Sequence, residues 1–600
     1  MGPVRYSRPM PEARTRATRA AVQVACFVSL VTIVLLMMKR ANGRMPDDAF
    51  IFYRYARNIV RSDGWTYNVG VSTGNAATSP LWTAVLTVGY FVHRDMIAVG
   101  AFLYALCLAG AGHLTALTLR RMGRPVAAVA AALLIVVNPA ELWVRGMESA
   151  IFLLLVAAFL HLALGKVRAP WDGIVGGLLI LVRPEGAILI AIVLAHRWRS
   201  TRKVPWRSSV AALCVLVPWL LFSTYVFGSP VSETLAAKTA QGRSGFFGPP
   251  FVFARYLHSM IVRPWSAALI VASGVGGVFA IRRRELQEYA AVVVGFVAVH
   301  FAAYALIVRP PAYLWYYAAE YYGLAVFAAL GVDLATEWVT SRRADDTVGE
   351  RSTAGRLAGG LSIALVMVLV ALSVRAQERD DIYSGYRAGA IWLRDHAGAR
   401  QSVSATEIGV IGWTSNRPIV DYLGLLSDQS AAELGRGDLA SWLEREHPDF
   451  YVAHLPLWDM EAPSAQLPIF STQYQPVYET DGGGWSHLRI FQRLSVPSPT
   501  ALLTATVDSA FRAAGADLDD TERRAVSSLL AVYVGSPTMQ KTKKDGGYET
   551  PDGVDFSGLL AWSSSGDSKL GSADRMALSA VVERLSGHTV VSPLAPRGSV

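Results

Sequence analysis

Two adjacent carboxylates, Asp47 and Asp48, stand directly behind a hydrophobic run and open a segment, Met45 to Trp82, in which Tyr, Trp, Arg and Asn recur every few residues. Carboxylates at a water–lipid boundary suit two tasks. After Pro46 they can cap a helix, where the macrodipole favours negative charge, or they can take a proton from an attacking hydroxyl. Later stretches supply further charges: Glu141, Arg145 and Glu148 in NPAELWVRGMES, Arg183 and Glu185 in LVRPEG, Lys238 behind GSPVSET, and Arg309, Trp315, Tyr316 and Glu320 in and around RPPAYLWYYAAEYY. Carboxylates beside cations beneath a bilayer surface fit a reaction in which a hydroxyl loses its proton while an anionic phosphate departs. A lipid-linked sugar phosphate is such a donor, because its tail can stay in the bilayer while its head enters a recess. Plainer readings of the same residues are a helix cap for the Asp pair, a Pro-kinked helix with a self-neutralising Arg183/Glu185 pair, and an interfacial aromatic girdle around Trp315.

The elements that must position these groups belong to a membrane. Of 600 residues, 52% are hydrophobic and 17% charged, with mean hydropathy +0.33, which indicates a polytopic membrane protein with a polar portion attached. The formal charge of +10 falls mainly in short basic clusters between apolar runs, the distribution of the positive-inside rule, and nucleic acid is not the expected partner. Cys26, Cys107 and Cys214 all lie in apolar runs and read as small core residues, neither disulfide nor nucleophile. No His and Cys spacing suggests a metal site, and no internal repeat is evident.

Residues 1–19 read as a basic cytoplasmic N-terminus before an uncleaved first helix from about Ala20 to Met38. The Asp47 helix that follows is amphipathic by spacing and is expected to lie along the interface. Leu81 to Val92 is too short for a comfortable crossing and reads as a re-entrant or interfacial helix, which leaves Arg120, Arg121 and Arg124 in the cytoplasm as the charge rule requires. The run Trp171 to His196 has basic flanks on both sides and is interrupted at RPEG. It reads as a hairpin of two arms of about eleven residues, roughly 16 Å each, with its tip in a recess. Counting onward gives about eleven transmembrane helices over residues 20–375. Residues 376–496 read as an extracytoplasmic α/β domain, with strands expected at Ser402 to Trp413, Pro418 to Tyr422, Phe450 to His454 and Leu488 to Gln492, and a helical segment at Gln429 to Glu446. Residues 497–600 read as a tail, partly helical and partly disordered.

DDAFIFYRYARN followed by NVG and TSPLW, then GMES, LVRPEG, YVFGSP with AAK, and EIGVIGW…RPIVDYLGL, in that order, resembles the GT-C superfamily of membrane glycosyltransferases over about Arg19 to Leu494. Within it, the likeness is to actinobacterial cell-wall arabinofuranosyltransferases. The resemblance implies inverting transfer of a sugar, arabinofuranosyl or mannosyl among the options, from a polyprenyl-phosphate donor to a cell-envelope glycan at the outer face of the bacterial plasma membrane. It makes Asp47 the general base, with Asp48 to orient the acceptor or the base, places Arg183, Lys238 and Arg54 on the donor phosphate, and leaves Glu148, Glu185, Trp82, Trp315, Tyr316 and Glu320 to bind substrate. It implies metal-independent or weakly metal-assisted chemistry, with Mg or Mn as the divalent cation to consider and no residue assigned as ligand. Two other functions use a polar recess in a membrane: a transporter or flippase of polyprenyl-linked sugars, which should show paired repeats with broken helices, and a non-catalytic carbohydrate-binding membrane protein.

Overall fold

The computed structural model describes residues 12–40, 45–70, 75–165, 170–230, 232, 234–249, 251–342, 348–376, 382–482 and 484–494. The tail expected after residue 497 lies outside them, as does Glu233 of the GSPVSET stretch. The described residues fall into two compact units. The first runs up to Ala390 and takes in Glu407–Asn416 and Leu423–Gly437, and the second comprises Ile391–Thr406, Arg417–Tyr422 and the chain from Asp438 on.

The first unit is helical: α1 (Glu12–Arg40), α2 (Asp47–Val60), α3 (Pro80–Val92), α4 (Met96–Arg121), α5 (Pro125–Val136), α6 (Pro139–Trp143), α7 (Ser149–Ala163), α8 (Trp171–Val182), α9 (Gly186–Thr201), α10 (Trp206–Phe227), α11 (Thr234–Arg243), α12 (Val252–Val262), α13 (Pro264–Arg282), α14 (Arg284–Ala302), α15 (Ala318–Arg342), α16 (Val348–Arg375), the first half of α17 (Ser384–His396), α18 (Ile408–Ser415) and α19 (Asp428–Gly435). Among the described residues, seven helical stretches are long and apolar enough to cross a membrane, and five further apolar helices, α3, α7, α8, α12 and the end of α16, are shorter. The expected count of about eleven is reached only by including several of these short helices. The break at RPEG is present, since α8 ends at Val182 and α9 begins at Gly186.

With lipid tails as apolar as the helices, association depends on close backbone approach through small residues. The stretch Pro125–Trp143 is 78% buried and sits centrally, whereas α10 is 6% buried and lies at the periphery. Helices α13 and α15 meet most intimately at Gly276, where an added Cβ would lie 1.8 Å from the Phe327 carbonyl oxygen. One end of the bundle is tied by ions: Arg124, before α5, reaches Glu285 at 2.7 Å, Glu337 at 2.7 Å and Asp333 at 3.4 Å.

The second unit holds a five-stranded sheet in the order β2-β1-β3-β5-β4, built from β1 (Val403–Ser404), β2 (Ile419–Val420), β3 (Phe450–His454), β4 (Tyr474–Glu479) and β5 (Leu488–Arg493). β1 is parallel to β2 and β3, and β5 is antiparallel to β3 and β4. The expected strand Ser402 to Trp413 is a two-residue strand followed by helix α18, because a short buried apolar run carries no periodicity that separates strand from helix. The expected helical segment Gln429 to Glu446 is two helices, α19 and α20 (Ser441–Glu446), with Gly437 at φ 78° between them. Strand β4 was not anticipated.

Overpacking a helix contact costs about 1–3 kcal/mol. Gly276→Leu should therefore lower the thermal unfolding midpoint of the detergent-solubilised protein by several degrees, while Gly277→Leu, where nothing lies within 4 Å of an added Cβ, should leave it unchanged.

Candidate active site

Helix α2 begins behind Pro46, which is extended (φ −63°, ψ 157°) and offers no side-chain cap, so Asp47 and Asp48 occupy the first turn. The helix is packed within protein along most of its length. Eleven of its residues, Arg54, Arg57 and Asn58 among them, are buried, and buried charge is tolerated only where hydrogen-bond partners replace water. Much of that partnership is α18. Asp47 Oδ2 accepts the Gly409 N–H at 2.7 Å and Oδ1 the Val410 N–H at 2.6 Å. At the other end of α18, Arg54 Nη1 donates to the Gly412 carbonyl at 2.7 Å, and Arg57 donates to the Trp413 carbonyl at 3.1 Å and Asn416 Oδ1 at 2.8 Å. The Tyr67 hydroxyl adds a bond to the Ile408 carbonyl at 2.7 Å. A carboxylate at the N-terminus and guanidinium groups at the C-terminus satisfy the orphan groups of a short helix and match its dipole. Only glycine fits at position 409, since a Cβ there would lie 1.9 Å from the Asp47 carbonyl oxygen.

One position further along α2, Asp48 lines a cavity of about 320 Å³ within the first unit. It shares this wall with Glu148, Arg183, Glu185, Lys238, Tyr304, Trp315 and Tyr316, among apolar side chains such as Ile51, Phe52, Ile188, Leu235 and Val308. Arg183 comes from the break between α8 and α9, where its backbone is extended (φ −152°, ψ 127°). Its Nε donates to Glu185 Oε1 at 2.5 Å, and its Nη1 donates to the Trp315 carbonyl at 2.8 Å and to Glu148 Oε1 at 3.3 Å. Its guanidinium also interacts with the Tyr304 hydroxyl. Lys238, on α11, holds its ammonium 4.4 Å from the Tyr313 ring centre and 5.9 Å from that of Trp315, with no ion pair among the described residues. Asp48 likewise has no hydrogen-bond partner among them.

The Asp pair has a third member. Carboxylate oxygens of Asp47, Asp48 and Glu407, the residue that caps α18, lie within 4.8 Å of one another. Burial pushes Asp47 up to about 7, against the pull of the Val410 and Gly409 N–H groups and with the Asp48 charge adding to the rise. Burial also raises Asp48, opposed by the Lys238 charge. Glu407 is driven well above the usual carboxylate range by burial and then by the charges of Asp47 and Asp48. Three hard oxygen donors with uncompensated charge fit a divalent cation of the Mg or Mn type, or shared protons.

Several expectations change. Asp47, cast as the base, is spent on α18 and does not line the cavity, whereas Asp48 does. Arg54, cast as a phosphate ligand, is 3% exposed and bound to Tyr67 O, Gly412 O and Asn68 Oδ1. Trp82 is fully buried and donates its indole N–H to the Gly146 carbonyl at 3.1 Å. Glu320 is held by His300 Nδ1 at 2.7 Å, away from the cavity. Arg183, Lys238, Glu148, Glu185, Trp315 and Tyr316 all line it. Glu407 carries no local signal of its role, because it lies inside a short apolar run whose pattern fits a strand as well as a helix. The same holds for Tyr304, which a π-helical turn at Ala303–Val308 brings to the wall, a local irregularity that has no sequence signature.

An archaeal oligosaccharyltransferase, AglB from Archaeoglobus fulgidus, solved with an inhibitory peptide and a dolichol-phosphate, matches with a TM-score of 0.52 at 12% identity, over 87% of this chain and 86% of its own. The chain has the GT-C fold. Other solved structures similar to this chain include ArnT from Cupriavidus metallidurans bound to undecaprenyl phosphate (TM-score 0.49, 12% identity, 79% of this chain and 98% of that one). The arabinofuranosyltransferase AftD from Mycobacteria also matches (TM-score 0.44, 13% identity, 78% of this chain and 40% of that one). A family described as a domain of unknown function (DUF8728) matches residues 375–501, and no curated protein matches the chain.

Removing the α18 acceptor orphans two buried N–H groups at about 1–3 kcal/mol each. Asp47→Ala should lower thermal stability markedly and Asp47→Asn less, because the amide oxygen still accepts one bond. Gly409→Val should match or exceed Asp47→Ala; unchanged melting in all three would remove the clamp from the account.

Proposed function

We propose that the chain is a glycosyltransferase that moves a sugar from a polyprenyl-phosphate donor to a cell-envelope glycan, with inversion, at the outer face of a bacterial plasma membrane. The observation that carries the reading is a cavity in which the Asp48 carboxylate shares the wall with the Arg183 guanidinium and the Lys238 ammonium, among apolar side chains suited to a prenyl chain. The fold supports it, since AglB was solved with a dolichol-phosphate.

In this mechanism Asp48, rather than Asp47, is the general base. The acceptor hydroxyl oxygen attacks the anomeric carbon and gives its proton to Asp48, and the bond from that carbon to the phosphate oxygen breaks with its electron pair on the phosphate. The donor enters as a monoanionic diester and leaves as a dianionic monoester, so negative charge grows where Arg183 and Lys238 stand. Arg183 is fixed for this by Glu185, Glu148 and the Trp315 carbonyl, so no reorganisation is needed when that charge develops. The raised pKa of Asp48 makes it a stronger base than a solvated carboxylate. Asp47 positions Asp48 by pinning the first turn of α2 to α18. A divalent cation, if bound, would be held by Asp47, Asp48 and Glu407 and would make the acceptor hydroxyl more acidic.

Purified protein given a panel of labelled polyprenyl-phosphate sugars, arabinose and mannose first, should transfer label to a glycan acceptor. Flux of the lipid across vesicles without transfer would support a flippase instead, and binding alone a lectin-like role. Asp48→Asn should cut turnover by roughly 10²–10⁴-fold, the usual worth of a general base, with melting unchanged. Lys238→Gln should raise the donor KM more than it lowers kcat, whereas Arg183→Gln should lower kcat. Chelation should depress turnover, with recovery on adding Mg or Mn; turnover indifferent to chelator would leave the three carboxylates to shared protons.

A further inference from the structure

The corner between α9 and α10 carries four exposed cations within nine residues, Arg199 in the last turn of α9, Arg202 and Lys203 in the connection, and Arg207 at the start of α10, none of which has an ion pair among the described residues. The acids nearby are already engaged: Asp172 holds Arg197 and accepts from Ser208, and Glu288 pairs with His196 at 3.2 Å. Two of the cations stand over exposed tryptophans, with the Arg202 guanidinium 5.9 Å from the Trp198 ring centre and that of Arg207 5.4 Å from the ring of Trp206. Trp198 is 51% and Trp206 61% exposed.

From this corner an uncovered apolar stripe runs down α10. Val210, Leu213, Val217 and Leu221 recur at three- and four-residue spacing, all exposed, and so follow one side of the helix. From Trp206 to Leu221 the stripe is about 22 Å long at 1.5 Å per residue, comparable to an extended acyl chain. A cationic head site, interfacial tryptophans and an apolar stripe continue one into the next.

We infer that this corner binds an anionic diacyl phospholipid, its headgroup phosphate held by Arg199, Arg202, Lys203 and Arg207 and an acyl chain lying along α10. Charge complementarity selects this occupant: a second copy of the chain would bring four more cations to the same corner, and a zwitterionic lipid would leave these four uncompensated. The site shares no residue with the proposed active site, so it stands whether or not the chain transfers sugars.

The test is native mass spectrometry of the full-length protein in detergent, titrated in parallel with phosphatidylglycerol and phosphatidylcholine. The wild-type protein should retain phosphatidylglycerol at least about tenfold better, in line with the attraction of each basic residue to anionic lipid, and the preference should shrink as salt rises. R199Q/R202Q/K203Q/R207Q should lose the preference while keeping the wild-type melting temperature, and R202K/R207K, which conserves charge, should keep it. Equal retention of the two lipids by the wild type, or undiminished preference in the quadruple variant, overturns the inference. So does efficient bismaleimide cross-linking of two chains through Cys214, an exposed residue on α10, which would give the face to a second copy.

Discussion

Helix α18 is eight residues long, too short to persist alone, and its termini are met from α2 by charges of the matching sign. Asp47 takes the free N–H groups at one end, while Arg54 and Arg57, seven and ten residues further along α2, take free carbonyls at the other. The reciprocal need is as strong. Asp47, Arg54 and Arg57 are 2%, 3% and 6% exposed, and without α18 each would lose hydrogen-bond partners in a dry interior, a larger penalty than losing one surface ion pair. Each helix therefore makes the other affordable. This also explains why the compact helical unit takes a ten-residue piece, Glu407–Asn416, from a stretch of chain whose flanks belong to the sheet unit.

The clamp divides the labour of two neighbouring carboxylates. Successive residues on a helix point about 100° apart, so fixing Asp47 against α18 turns Asp48 away from it and toward the cavity. The same docking delivers Glu407 to the pair. Three carboxylates gathered in a buried place raise one another's proton affinity, and a base held there costs stability that the bonds to Gly409 and Val410 partly offset.

Across the cavity the logic is inverted. A helix broken in its middle exposes backbone, which a membrane protein tolerates where the break lines a recess. Arg183 sits at that break with a short bond to Glu185 and a carbonyl partner from Trp315, so a cation that would be costly in lipid is balanced and aimed. Lys238 stands against aromatic faces without a close ion pair among the described residues, which leaves its donors available to a ligand.

What the residues determined by themselves follows from local physics: apolar runs and basic clusters specify a many-helix membrane protein, Pro184 and Gly186 specify a break in the Trp171 to His196 run, and a short run of aromatic and β-branched residues locates the strand Phe450–His454 where the structure has it. The cavity-lining Asp48, Glu148, Arg183, Glu185, Lys238, Trp315 and Tyr316 were also legible, because charge and aromatic residues beside apolar spans are rare enough to mark a recess. What only the tertiary structure decided are the partners that come from far along the chain. EIGVIGW has no period that distinguishes a strand from a buried helix, and nothing local reveals that position 409 will be docked on position 47. Which aspartate faces the cavity, why Arg54 and Trp82 do not, and where Glu407 belongs all depend on that one long-range contact. Adjacency in sequence fixes only that two side chains diverge, and the packing of a distant helix chooses which way each points.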